Sequence, residues 1–115
     1  MTIVKATPEL TPVDIYKLTM NPNATKMKEV AGQRLEVAAY AVYEDVDKKT
    51  GELQNILAIK TPEGEVFATN SKTFIEEFMK MVDFFGGYDM RVEAIEVITG
   101  TSKAGREYIS CTYAN

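Results

Sequence analysis

Apolar positions in RLEVAAYAVYEDV, residues 34–46, fall on both parities. Leu35, Val37, Ala39, Ala41 and Tyr43 occupy one side, and Ala38, Tyr40 and Val42 the other. Strict two-residue alternation marks a half-buried strand, so this pattern predicts a long, bent strand covered on its second face for part of its length. The turn DKKTGE follows, with Gly51 at a positive-φ position. Leu53 to Lys60 reads as a second strand, Thr61-Pro62-Glu63-Gly64 as a tight turn, and Val66 to Thr69 as a short third strand. The period then changes. Phe74, Ile75, Phe78, Val82 and Phe85 recur at helical spacing behind an Asn70-Ser71 cap, with Glu76, Glu77, Lys80 and Asp83 opposite them. Gly86-Gly87 ends that helix. Met90 to Thr99 and Arg106 to Tyr113 are two more strands, joined by a basic-tipped turn from Gly100 to Gly105.

Residues 1–33 read as a helical extension. Thr11 is an N-cap, Pro12 suits the first turn, and Asn21-Pro22-Asn23 stops the helix. A second short helix is expected from Ala24 to Ala31, with Met27, Val30 and Ala31 inward and Gly32 as its C-cap. Residues 34–115 then form the main unit, and the whole reads as one compact domain.

Strand-strand-strand-helix-strand-strand is the order of an OB-fold. Five short strands in so small a domain leave wet edges, and closure into a barrel plugged by the helix removes them. The expected fold class is therefore all-β/α+β, a five-stranded OB-fold-like barrel with a short N-terminal helical segment. A split sheet-plus-helix α+β fold is its main rival.

Composition narrows the function. The 115 residues are 45% hydrophobic and 26% charged, ordinary for a chain that folds around a core. No apolar run is long enough to span a bilayer, and the N-terminus lacks a signal pattern, so a cytoplasmic protein with no membrane partner is expected. Histidine is absent and Cys111 is the single cysteine. The commonest general base and the thiolate metal sites are thus missing, and neither an enzyme nor a cofactor or metal is expected. The carboxylates Glu44, Asp45 and Asp47 read as solvated residues entering a turn.

A net charge of −4 argues against a uniformly basic coat, though not against a local basic stripe. The N-terminal segment, counted through Arg34, holds five basic residues (Lys5, Lys17, Lys26, Lys28, Arg34) against three acidic (Glu9, Asp14, Glu29). Strand aromatics lie beside cations near the two hairpins: Tyr43 near Lys48 and Lys49, Tyr108 near Lys103 and Arg106. Single-stranded nucleic acid needs that pairing, because bases stack on exposed rings while cations track phosphates. The candidate binding set is Arg34, Tyr40, Tyr43, Lys48, Lys49, Lys60, Phe67, Lys103, Arg106 and Tyr108. Alternation places Tyr40 and Tyr108 outward and Tyr113 in the core. Tyr43 falls inward unless a bulge re-aims it.

The turn Asp47-Lys48-Lys49-Thr50-Gly51-Glu52, the phrase FATNSKTF entering the helix, and LTPVDIYKLT near the start together resemble the small single-stranded DNA-binding proteins encoded by tailed phages of Gram-positive bacteria. The resemblance implies an OB-fold that coats single-stranded DNA during phage replication or recombination in the host cytoplasm. Replication or recombination proteins and further copies of the chain would be its protein partners. The chain ends CTYAN, without the acidic tail that bacterial single-stranded DNA-binding proteins use for recruitment. A protein-interaction or structural accessory module of a phage, built on the same barrel, is the alternative.

Overall fold

The bent strand is real, and its bend organises the molecule. In a computed structural model that describes residues 1–114, residues 34–46 form two strands, β3 (Arg34–Glu36) and β4 (Ala39–Val46). Between them the backbone changes partner: the Val37 N–H donates to the Glu93 carbonyl at 2.8 Å, and the Ala38 N–H to the Lys60 carbonyl at 2.8 Å. The chain thereby crosses from one sheet to the other.

Among the described residues, eight strands and two α-helices make up the fold. Before the bend lie β1 (Thr2–Ala6), α1 (Pro12–Thr19) and β2 (Thr25–Lys26); after it come β5 (Leu53–Lys60), β6 (Val66–Thr69), α2 (Lys72–Gly86), β7 (Ala94–Thr101) and β8 (Glu107–Tyr113). One sheet has the order β1-β4-β5-β6-β2 and the other β3-β7-β8. The main core lies between the sheets and α2, around Phe74, Phe78, Leu57, Ile59, Ile95 and Val97. Helix α2 starts where Ser71 Oγ accepts the Phe74 N–H, and it buries its Phe74, Ile75 and Phe78 face.

Two sequence expectations need correction. The first is barrel closure: the sheets are not closed into a barrel. The free edge of β6 is taken by β2, paired in parallel as Thr25↔Phe67 and Lys26↔Ala68. A 3-10 turn, Met27–Val30, then carries the chain away, and the Gly32 N–H reaches the Val97 carbonyl of β7 at 2.6 Å. Met27, only 1% exposed, anchors this segment in the core. The wedge stands where closure would pair β6 with β8.

The second correction concerns residues 1–33. Helix α1 forms as expected: Thr11 Oγ1 accepts the Asp14 N–H, and Asp14 accepts the Thr11 N–H, completing a capping box. Residues 2–6 are a strand, however, and the helix expected over 24–31 is reduced to the 3-10 helix Met27–Val30 behind strand β2, with Met27, Val30 and Ala31 inward as expected. Both short strands are edge strands fixed by pairing with β4 and β6, a non-local cause that local helical spacing does not register. Leu18 of α1 and Ile3, Ala6 and Leu10 pack with Ala41, Tyr43, Ala58 and Val66 in a second cluster on the other face of the five-stranded sheet. This segment is therefore part of the packed structure. The radius of gyration, 13.8 Å, is near the roughly 13 Å expected of one compact unit this size.

Candidate nucleic-acid interface

Residues opposite one another in a ladder share a face. Ala41, Ala58, Ala68 and Lys26 make one such row across four strands. Its small side chains form a shelf on the face opposite the main core. Helix α1 covers the Ala41 end; towards β2 the shelf is open and passes into a groove of about 1000 Å³. Gln54, Ile56, Ala68 and Asn70 line its floor, and Lys26 and Lys28 one wall. Thr99, Glu107, Tyr108 and Ile109 line the other. Asn70 Nδ2 donates to Gln54 Oε1 at 3.1 Å, tying β5 to the start of α2.

Each hairpin is continuous in the chain with a residue of the groove, Gln54 after the first and Tyr108 after the second. Their tips are held by glycines in the left-handed region, Gly51 at φ 73 and Gly105 at φ 81. The first carries Lys48 and Lys49, the second Lys103 and Arg106, all exposed.

Tyr108 is the ring that the sequence placed outward and the structure leaves available, at 40% exposure. It has the opposite parity to Ile109 and core Cys111, and it pairs with Gly100 across the hairpin. The ring rests directly on that glycine: a methyl added at Gly100 would stand 2.5 Å from Tyr108 Cζ and Oη. One face of the aromatic is therefore seated on backbone, and the residue stands on the rim of the groove.

The other aromatic candidates are buried. Tyr40 packs edge-on against Phe78 with ring centroids 5.1 Å apart, and burial pushes its phenol above its ordinary pKa. Tyr43 lies under α1, where its hydroxyl donates to the Thr19 carbonyl at 3.4 Å and burial again raises its pKa. Phe67 is in the main core. The outward placement of Tyr40 fails because the break between β3 and β4 shifts parity: Leu35 and Val37 face the core before it, Tyr40 and Val42 after it. No ring among these three is open to a stacking base. Tyr113 is half-buried against Phe85, ring centroids 4.7 Å apart, as its parity predicts.

Two cations lie elsewhere. Arg34 pairs with Glu36 at 3.3 Å and lines a separate acidic cavity with Glu29, Glu63 and Glu65. Lys60 ends β5 near the start of α1, where it feels the Asp14 carboxylate. Of the sequence candidates, Tyr108 lines the groove, and the structure adds Lys26, Lys28, Gln54 and Asn70; Lys48, Lys49, Lys103 and Arg106 stand on the two hairpins, outside its lining. Sequence reasoning missed Lys26 and Lys28 because residues 24–31 were read as a helix; the basic excess of the N-terminal segment was the one signal pointing to them.

Nucleophilic chemistry has little support. Burial pushes the Cys111 thiol up to about 12, with Glu77 adding to the shift, and the side chain lies in the core. Among the described residues no group of three or more Cys, Asp or Glu could hold a metal, and no helix is long and apolar enough to cross a membrane.

No curated protein and no solved structure matches the chain. A family model described as phage single-stranded DNA-binding protein matches residues 2–113, nearly its whole length. An open groove with Lys26 and Lys28 on one wall and one ring seated at its rim is consistent with that match, and the chain belongs to the family of phage single-stranded DNA-binding proteins.

Proposed function

We propose that the chain binds single-stranded DNA in the groove between β2 and β8, without catalysis and with little regard to sequence, during phage DNA replication or recombination in the host cytoplasm. The observation that carries this reading is Tyr108, exposed at the groove rim, seated on Gly100 and flanked by Lys103 and Arg106. Stacking on a ring is tolerant of sequence because every base has a π-face. The element order from Arg34 supports an OB-like fold, in which the open face of β5 and β6 and the two hairpins are the usual place for a single strand. The split on the β6–β8 side makes it an opened variant.

Fluorescence anisotropy with labelled oligo-dT tests the proposal. Binding at low salt is expected in the micromolar range or tighter, and Tyr108→Ala is expected to cost roughly 1–3 kcal/mol if the ring stacks on one base. Unchanged affinity in that variant would move the site away from Tyr108.

A protein-docking role is the second reading. Phe84, Tyr88 and Met90 are at least half exposed where α2 ends, and the Phe84 and Tyr88 rings lie 5.6 Å apart. A replication or recombination protein, or another copy of the chain, would be the partner for such a patch.

A further inference from the structure

The wedge that keeps the barrel open also carries charge into the groove. Lys26 is the last residue of β2 and Lys28 the second of the 3-10 turn; both are exposed and both line the groove. Between them Met27 is buried in the core. The backbone on one side is paired to β6, and on the other the Gly32 N–H is bonded to β7. The two ammonium groups therefore project from a fixed segment instead of a mobile tail. Among the described residues neither is in an ion pair with a carboxylate.

Charge across the groove is uneven. Glu29 stands beside the lysines, and Glu107 lies on the opposite wall next to Tyr108. Among the residues that line the groove the cations stand on the β2 wall, while the ring and apolar Ile109 lie on the β8 side. Resting on the groove reading above, we propose that Lys26 and Lys28 track the sugar-phosphate backbone, so that the strand lies with phosphates toward β2 and bases toward Tyr108. The N-terminal segment is then a wall of the DNA site and sets which side of the strand faces Tyr108.

Phosphate contacts and base stacking have different salt signatures. Each phosphate neutralised contributes about −0.7 to the slope of log affinity against log salt for a single strand, whereas stacking contributes little. Oligo-dT titrations across a salt series are therefore expected to show a slope shallower by about 1.4 in the Lys26→Ala/Lys28→Ala double variant. The arginine pair Lys26→Arg/Lys28→Arg should restore the wild-type slope, and Tyr108→Leu should weaken binding while leaving the slope unchanged. If the double variant does not fold, Lys28→Gln, outside the β2 ladder, carries the same test at about half the change. Wild-type binding with an unaltered slope in the lysine variants overturns the lysine wall alone. Absence of wild-type binding at low salt overturns the groove reading and this one together.

Discussion

At the scale of single residues, the packing of Tyr108 on Gly100 carries most of the account. A ring seated on backbone has lost much of its rotational freedom before any base arrives, which lowers the cost of ordering it on binding. Gly100→Ala should displace the ring and weaken oligo-dT binding in the same direction as Tyr108→Ala, with the circular dichroism melt reporting whether the fold persists. Tyr40→Ala should behave differently. It removes a buried aromatic from the Phe78 contact, so the expected loss is of stability, about 3–5 kcal/mol by the behaviour of large core truncations, read by urea unfolding. Tyr40 and Tyr108 look equivalent in the sequence, each in a strand near apolar neighbours. They part because one stands just past a parity break and the other in an uninterrupted ladder. The outward position of Tyr108 was legible from alternation; the glycine beneath it depends on cross-strand register, which the sequence does not display. Cys111 offers a check on burial: its raised thiol pKa and core position predict negligible reaction with a disulfide reagent in the native state near neutral pH, and rapid reaction in denaturant.

Among the elements, the segment from Thr25 to Gly32 shows how a few pairings redirect a fold. Strand β2 has two residues, too few to announce themselves by pattern, yet it occupies the edge that closure would use. Its hold depends on Met27. Met27→Ala should lose about 2–5 kcal/mol of stability in this buried site, and oligo-dT affinity should fall with it as Lys26 and Lys28 lose their fixed geometry. Helix α1, by contrast, was written in local chemistry, and its start is Thr11, as the sequence predicts. Hydrogen bonding to the Thr11 backbone holds the Asp14 carboxyl below its ordinary pKa, with the Thr11 side chain second. A folded pKa below the unfolded one stabilises above the ordinary carboxylate value, and that contribution is lost as pH falls through the folded value. Asp14→Asn should therefore be less stable than wild type at neutral pH, with the gap closing on acidification below the ordinary carboxylate range, as followed by thermal melts. The strand order after Arg34 and helix α2 came from alternation and from Phe74, Phe78 and their partners; the first strand, whose five residues gain their place by pairing with β4, did not.

For the molecule as a whole, net charge and local charge point in opposite directions. A chain of net charge −4 repels DNA at long range, so attraction must come from local cations, Lys26 and Lys28 in the groove and the exposed cations of the two hairpins. Ionic strength then acts on a short list of contacts: Lys26, Lys28, Lys48, Lys49, Lys103 and Arg106. Binding of labelled oligo-dT at two salt concentrations, with a duplex of the same length as control, tests this most directly. The account predicts micromolar or tighter binding of the single strand at low salt, marked weakening at the higher salt, and weaker binding of the duplex. Oligo-dT that fails to bind at low salt, or binds with an affinity indifferent to salt, would contradict it.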